Sequence, residues 1–207
     1  AQCCSLMETA ATAFSSTSLS PYHGTTWKRK LFYIKQGKGL FLSADILEAL
    51  SEGPVNCVCT WRTPIFAVLK NKYWRTDQGD YRFVLRWDDN AALLNQEERE
   101  LGAANPFVLH QFKQKYLKGG ETVDFANLFY ADLRDQCKDY SIKTFSQGSL
   151  ISGPEYYRGW CGFKSGNFFP GLVFKGEGIY IDEETVSIGG CTFFTSSNLT
   201  VESTNPL

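Results

Sequence analysis

Ile34-Lys35-Gln36-Gly37, with Leu40 after it, opens a set of residues that recurs later in the chain. The first set continues with Gly53-Pro54, Trp61 and Val68-Leu69-Lys70. The second set comprises Ile142-Lys143, Gln147-Gly148-Ser149-Leu150, Gly153-Pro154, Trp160 and Val173-Phe174-Lys175. Self-similarity at a spacing of about 100 residues predicts two related structural units. The repeat is thus the first indication of the fold.

The composition favours sheets. Aromatic residues make up 15% of the 207 residues and there are 18 glycines, a combination typical of strands joined by tight turns. The resulting prediction places strands in both copies of the repeat, for example at residues 31–35, 55–61, 65–70, 81–87, 140–145, 156–163, 168–174 and 179–181. The fraction of hydrophobic residues, 43%, suffices for a buried core.

Helices are predicted in four places from apolar spacing and capping residues. A short one covers residues 43–50, with Ser43 as N-cap and Asp45 in the first turn. Three more cover residues 91–101, 105–118 and 123–137, between the two copies. The predicted fold class is therefore α+β and β-dominated, with two related antiparallel β units in pseudo-twofold relation and a helical section between them. The predicted divisions are an N-terminal arm at 1–25, a first unit with helices at 26–120 and a second unit at 121–207.

Charge and cysteine usage limit the partners and the compartment. The formal net charge of -1 gives no electrostatic case for nucleic acid, and no run of about 20 apolar residues predicts a membrane span. The seven cysteines are scattered and odd in number, unlike a secreted disulfide framework. The sequence therefore predicts a reducing intracellular compartment.

Few residues suggest catalysis or metal binding. The chain has two histidines, His23 and His110, so a histidine-based triad or metal site would have to use one of them. Cys161 precedes a glycine as some nucleophilic cysteines do, and a buried thiol is the competing interpretation. Cys57 and Cys59 would face one side of a strand and could share a metal with Cys137 or Cys191, or simply pack. Carboxylate clusters at Asp88-Asp89, Glu97-Glu98-Glu100 and Asp182-Glu183-Glu184 could serve glycoside hydrolysis or be solvated. We expect no enzyme, cofactor or metal.

The tryptophans are predicted to be assembly anchors, because aromatic residues are enriched in protein interfaces. Together with the two Gly-Pro pairs they form the predicted anchor set: Trp27, Trp61, Trp74, Trp87, Trp160, Gly53, Pro54, Gly153 and Pro154. Similar surfaces presented twice by one chain can form contacts that propagate. The chain is therefore predicted to be a structural protein that associates with itself into a sheet or filament.

The repeat set, with few histidines and a hydroxyl-rich start, resembles the diatom pyrenoid shell proteins. That resemblance rests on Ile34-Lys35-Gln36-Gly37, Gly53-Pro54 and Trp61 with their second copies. It implies a protein layer around the Rubisco condensate in the chloroplast stroma that supports CO2 fixation. It brings no catalytic residue with it.

A second resemblance gives the alternative function. The segment around Gly24 and Trp27 is similar to the Gly-x-Trp entry of lipocalins, and Tyr156-Tyr157-Arg158-Gly159 is similar to a stretch in the lipocalin domain of xanthophyll-cycle enzymes. This resemblance implies a barrel that binds a pigment or another apolar small molecule.

Overall fold

The computed structural model describes residues 2–8, 12–22, 24–35, 39–88, 91–97, 107–169, 172–175, 177–182, 186–189 and 192–195. Their regular structure is almost entirely β-strand, with one 3-10 turn at Arg134–Gln136. The strands are β1 Gln2–Glu8, β2 Thr12–Tyr22, β3 Thr25–Ile34, β4 Leu40–Ala49, β5 Gly53–Thr63, β6 Ala67–Lys70, β7 Tyr73–Gln78, β8 Tyr81–Trp87, β9 Ala92–Glu97, β10 Phe107–Leu117, β11 Thr122–Leu133, β12 Ser141–Thr144, β13 Gly148–Ser152, β14 Arg158–Gly162, β15 Gly166–Phe169, β16 Leu172–Lys175, β17 Gly178–Ile181, β18 Val186–Gly189 and β19 Thr192–Thr195.

These strands form four open antiparallel sheets. Sheet A has eight strands in the order β1-β2-β3-β4-β11-β8-β7-β6, and sheet B has three in the order β5-β10-β9. Sheet C has five strands, β12-β13-β14-β17-β18, and sheet D has three, β15-β16-β19. The prediction of a β-dominated, antiparallel protein is confirmed.

Sheet A is the middle layer of a stack of three. Alternate side chains on its strands point to opposite faces. Leu42 and Leu128 lie on one face and pack in a buried cluster with Ile151 and Cys161 of sheet C. The opposite face packs against sheet B in two further clusters, one around Phe125 and Cys59 and one around Trp74, Leu85, Trp87 and Leu109.

The helix predicted at residues 43–50 is wrong. These residues belong to β4, which pairs with β3 on one side and β11 on the other. Because β4 is central in the middle layer, both of its faces are buried. Leu42 and Ala44 on one face are fully buried, and Ser43 and Asp45 on the other are 2% exposed. A strand buried on both faces has a near-continuous apolar run instead of an alternating one, which favoured the helical interpretation.

The helical section between the two units is also wrong. The structure has strands there: β9, β10 and β11 cover residues 92–97, 107–117 and 122–133. Residues 98–106 lie outside the described residues. The apparent helical stripe at Phe125, Phe129 and Leu133 arises because β11 has apolar residues on both faces. Among the described residues, no helix is long and apolar enough to cross a membrane.

The segment predicted as an N-terminal arm, residues 1–25, supplies two strands of sheet A. β2 pairs with β3 along nearly its whole length, and the ring of Phe14 is 1% exposed. β11, which begins just after the predicted boundary at residue 120, pairs with both β4 and β8. The three predicted divisions stay a prediction; in the structure, sheet A draws strands from all of them.

The two repeat copies share a beginning and then differ. Each starts as an antiparallel hairpin, β3–β4 in the first copy and β12–β13 in the second. The next strand of the first copy, β5, leaves for sheet B, whereas β14 stays beside β13 in sheet C. The turn at 36–38 lies outside the described residues. The internal duplication therefore stays a prediction, with a hairpin as its common element.

Candidate functional site

A trough runs along the free edge of β5, and it is the candidate site. β5 is an edge strand of sheet B, and its Cys59 contacts Asp45 on β4 and Asn127 on β11. Strands β2 and β3 of sheet A therefore extend beyond β5 and form a floor beside it. We define the trough by a floor of Trp27, Arg29, Leu31, Tyr33, Phe41 and Asp45 and a wall of β5 residues Val58–Arg62.

Two cavities mark the ends of the trough. One, of 420 Å³, is lined by Trp27, Arg29 and Asp45 on the floor and by Cys59 and Thr60 on the wall. The other, of 570 Å³, lies where β5 ends and extends over β8 and β11. Tyr33 lies six positions after Trp27 on β3, so the floor is about 20 Å long at about 3.3 Å per residue. The dimensions suit an extended linear ligand.

An arginine held by a buried carboxylate forms the charged centre of the trough. Arg29 and Asp45 lie directly opposite each other in the β3–β4 register. The guanidinium donates two hydrogen bonds to the carboxylate, Nε to Oδ1 at 2.7 Å and Nη2 to Oδ2 at 3.1 Å. The Asp45 side chain is only 3% exposed, whereas that of Arg29 is 43% exposed. The hydrogen bond to Asp45 raises the pKa of Arg29 above its ordinary value, although burial opposes the shift.

The indole of Trp27 donates a third hydrogen bond to the Asp45 carboxylate and packs against the Arg29 guanidinium. Its Nε1 donates to Asp45 Oδ1 at 2.9 Å, and the Arg29 guanidinium carbon lies 5.1 Å from the Trp27 ring centre. A guanidinium that is stacked and paired on two sides is fixed in orientation. Arg29 therefore presents its remaining N–H groups to the trough from a preformed position.

Behind Asp45, a chain of buried polar groups runs between sheets A and B. Gln111 Nε2 donates to Asn127 Oδ1 at 2.8 Å, and Asn127 Nδ2 lies 3.8 Å from Cys59 Sγ. The Cys59 thiol in turn lies 3.8 Å from Asp45 Oδ2. Burial, and then the nearby Asp45 carboxylate, raise the pKa of Cys59 to about 12. Cys59 is therefore a neutral hydrogen-bonding thiol and a poor nucleophile.

Aromatic rings form the other end of the trough. Tyr33 stacks on Phe41 with ring centres 4.2 Å apart, and Phe41 stacks on Phe129 at 5.0 Å. Trp61, on the wall, is tilted against Phe129 at 5.6 Å. These rings come from the neighbouring strands β3, β4 and β11, where directly opposed residues lie close enough to pack. They give this end a flat, apolar floor.

Arginine side chains outnumber carboxylates among the residues that line the two cavities. Their lining residues include two arginines, Arg29 and Arg62, and one carboxylate, that of Asp45, which Arg29 already pairs. Thr63, Thr76 and Gln78 add neutral polar groups at the larger cavity. Among the described lining residues there is no carboxylate besides Asp45, so an anionic ligand meets no uncompensated like charge.

The structure does not bring the sequence-predicted catalytic candidates together. His110 lies on the outer face of sheet B, where its Nδ1 is 3.0 Å from Thr60 Oγ1. Cys161 is fully buried, and burial raises its pKa. Within the described part of the chain, no three metal-ligating side chains cluster. His23 and Cys191 lie outside the described residues.

The predicted anchor residues occupy different environments. Trp74 and Trp87 are 7% and 2% exposed and pack in the core between sheets A and B. Trp27 and Trp61 are partly exposed in the trough, and Trp160 is partly exposed beside Phe145. Of the two Gly-Pro pairs, Gly53-Pro54 opens β5, whereas Gly153-Pro154 follows β13.

Sequence reasoning missed Arg29 and Asp45, the polar centre of the site. One signal was present: Asp45 is a lone acid inside the apolar run Leu40 to Leu47. A carboxylate in a strand buried on both faces needs a partner, and Arg29 supplies it. The helix predicted at 43–50 had assigned Asp45 to a solvated first turn.

Comparison with known proteins gives a fold likeness. No family model matches the chain and no curated protein matches it. Among solved structures, the heparan sulfate lyase HepC from Pedobacter heparinus matches with a TM-score of 0.59 and 12% identity, over 77% of this chain and 27% of that one. A heparinase III matches with a TM-score of 0.54 and 14% identity, over 92% of this chain and 27% of that one.

The comparison concerns part of each matched protein. This chain spans about a quarter of the length of the solved structures that it resembles. Identities of 10–14% establish likeness of fold alone. The chain thus has the layered antiparallel β-sandwich fold that is found in part of these lyases.

Proposed function

We propose that this chain is a β-sandwich module that binds a segment of an anionic polysaccharide along the trough beside β5. The observation that carries the proposal is that the trough combines a flat aromatic surface with the fixed guanidinium of Arg29. The apolar faces of sugar rings pack on aromatic rings, and carboxylate or sulfate groups accept charge-assisted hydrogen bonds from arginine. The trough offers both at a spacing of several sugar units.

Separate residues would contact the apolar sugar faces and the anionic groups of the ligand. The stack of Tyr33 and Phe41, with Trp61 on the wall, provides apolar contact at one end. Arg29 provides a donor whose orientation Asp45 and Trp27 hold, so little conformational entropy is lost when an anion binds. Arg62 at the larger cavity provides a second, more exposed charge.

The fold likeness supports the same class of ligand. The solved structures that this chain was found to resemble include a heparan sulfate lyase and heparinase III. The proposal extends to this chain the binding of an acidic polysaccharide and assigns it no cleavage chemistry. Lysis would need a general base that reaches the ligand, and the described histidine, His110, is engaged with Thr60 on the wall of the trough at 3.0 Å.

The functions predicted from the sequence stay predictions. A pyrenoid shell in the chloroplast stroma, a Rubisco condensate as partner and an apolar ligand in a barrel are not tested by the fold. The described sheets are open and stacked, which differs from a single closed barrel.

Calorimetric titration with a panel of polysaccharides tests the proposal. The panel contains heparan sulfate and alginate fragments as acidic chains and a neutral glucan of the same length. We expect binding of the acidic chains that weakens as salt is added, because part of the attraction is between partly exposed charges. Lack of binding to every member of the panel would overturn the proposal.

Three variants locate the binding site. Arg29→Lys keeps the charge and loses the planar fork, so we expect about tenfold weaker binding, the equivalent of about 1.4 kcal/mol for a charge-assisted hydrogen bond. Arg62→Gln removes a more exposed charge and should cost about threefold. Arg158→Gln, on an exposed arginine of β14 in sheet C, is the matched control and should bind like the parent. Equal losses in all three variants would show that binding is not in the trough.

A further inference from the structure

Four polar side chains form a buried layer between sheets A and B. On sheet A, Ser43 and Asn127 lie directly opposite each other in the β4–β11 register. On sheet B, Cys59 and Gln111 lie directly opposite each other in the β5–β10 register. Each of the four is at most 5% exposed. We call these four residues the polar layer.

Two contacts within the polar layer join one sheet to the other. Gln111 Nε2 donates a hydrogen bond to Asn127 Oδ1 at 2.8 Å, and Asn127 Nδ2 lies 3.8 Å from Cys59 Sγ. Hydrogen bonds have narrow limits of distance and angle. These contacts therefore form at only one position of sheet B along the strands of sheet A.

The polar layer is a poor source of stability. Gln111 Oε1 is buried and accepts no hydrogen bond from the part of the chain that the structure describes. Burial of an unpaired carbonyl costs free energy, and a thiol is a weak hydrogen-bonding group, so the contacts of the layer offset little of that cost. Apolar side chains of similar size would fill the same space without it. The layer therefore calls for a role other than stability.

Apolar clusters flank the polar layer on both sides along the strands. On β11, Phe125 lies two positions before Asn127 in one cluster, and Phe129, two positions after Asn127, packs against the other. Apolar contacts are non-directional and do little to resist a slide of sheet B over sheet A. The natural step of such a slide is two residues, about 6.6 Å, because side chains on one face of a strand recur with that period.

A slide of one step would disrupt the trough. The ring centre of Trp61 on the wall lies 5.6 Å from that of Phe129, and the slide would separate the two rings. In either direction Gln111 would lose Asn127 and would face an apolar side chain. Two buried amides would then lie unpaired, which disfavours the displaced arrangement.

We propose that the polar layer sets the register of sheet B on sheet A and so aligns the wall of the trough with its floor. Asn127 and Gln111 act as positioning residues, since both are fully buried and the cavities of the trough are lined by other side chains. Their hydrogen bond holds Trp61 against Phe129. The effect on ligand affinity rests on the proposed function, whereas the effect on the position of Trp61 does not.

The double variant Gln111→Met/Asn127→Leu tests the proposal, because it replaces both amides with apolar side chains of similar size. Its melting temperature should match or exceed that of the parent, since both partners of the hydrogen bond are removed together. Cores of unchanged volume lose uniqueness before they lose stability, so NOE cross-peaks between the rings of Trp61 and Phe129 should weaken or disappear. Acidic polysaccharide should bind about tenfold more weakly, because the wall is no longer held in one position.

Two other double variants are the controls. Gln111→Asn/Asn127→Gln keeps an amide on each strand and should retain the cross-peaks and the affinity of the parent. If it behaved like the apolar variant, the amides would not be what sets the register. Tyr157→Phe/Tyr180→Phe removes a hydroxyl contact of 2.8 Å on the sheet C side of sheet A and should also bind like the parent.

The outcomes distinguish this proposal from the proposed function. Parent-like cross-peaks or parent-like affinity in the apolar variant would overturn the proposal, whatever its melting temperature. Should that variant fail to fold, Gln111→Met alone removes the amide link together with the unpaired carbonyl, and parent-like cross-peaks in it would overturn the proposal equally. A parent chain that binds no acidic polysaccharide would sink the proposed function, and the cross-peaks would still decide whether the polar layer sets the register.

Discussion

Removing either partner of the Arg29–Asp45 pair should destabilise the protein by different amounts. The two variants are Arg29→Met, which keeps the length of the aliphatic stem, and Asp45→Asn, which keeps the shape of the carboxyl group. Each removes one charge of the same pair. They differ in where the remaining charge is left, because Asp45 is 3% exposed and Arg29 is 43% exposed.

The expected magnitudes follow from that difference. Arg29→Met leaves a buried carboxylate with only the Trp27 indole and weak contacts from Ser43 and Cys59 as donors. Loss of one partner of a buried pair costs about 3–5 kcal/mol, and the partial exposure of Arg29 places this variant near the lower end, at about 3 kcal/mol. Asp45→Asn leaves a guanidinium that water can reach, so we expect about 2 kcal/mol.

Urea unfolding followed by circular dichroism and by tryptophan fluorescence measures both free energies of unfolding. Coincident transitions would establish two-state behaviour, which the comparison requires. The double variant Arg29→Met/Asp45→Asn should cost less than the sum of the single variants, with a coupling of about 1–2 kcal/mol. The reasoning is refuted if Asp45→Asn costs more than Arg29→Met, or if the two costs add.

Two further predictions concern packing and pH. A Cβ atom on Gly153 would lie 2.4 Å from the ring of Tyr140, whereas one on Gly53 would meet no atom within 4 Å, so Gly153→Ala should lower the melting temperature and Gly53→Ala should leave it nearly unchanged. Similar melting temperatures for the two variants would contradict the packing described for Tyr140. Burial opposes ionisation of Glu177, but Lys30, Lys28 and Ser16 outweigh it, and the pKa of Glu177 is lowered. The stabilisation that ionised Glu177 provides is therefore complete above the ordinary pKa of a glutamate and is lost as the pH falls through the lowered value. The difference in unfolding free energy between the parent and Glu177→Gln should shrink on acidification. A constant difference from neutral to acidic pH would contradict this.

The sequence indicated much of the β character of the fold, and two of its four false helices have a common physical origin. β8 was predicted with its actual limits, residues 81–87, and β5 was recognised at its centre. The false helices at 43–50 and 123–137 coincide with β4 and β11, the two central strands of the middle layer. A strand with two buried faces lacks the alternation of polar and apolar residues by which strands are recognised, so β4 and β11 were taken for helices.

Part of the candidate site could have been predicted from the sequence. Once residues 40–49 are taken as a strand after the turn at 36–39, simple antiparallel pairing of Ile34 with Leu40 places Arg29 opposite Asp45. The trough itself could not have been predicted. It exists because sheet B is narrower than sheet A and is offset from β2 and β3, and no local pattern encodes the relative position of two layers.

The position of β11 in sheet A has a consequence for how the chain folds. Strands β1 to β4 form one consecutive meander, and β6 to β8 form another, so each can assemble from neighbouring segments. β11 is inserted between β4 and β8 and is the last strand of sheet A to be synthesised. Until it arrives, both meanders have an unpaired inner edge of the kind that recruits foreign strands. The late entry of one strand over a long sequence separation predicts slow folding and a partly assembled state prone to aggregation, because the loop-closure entropy must be overcome before the long-range contacts form.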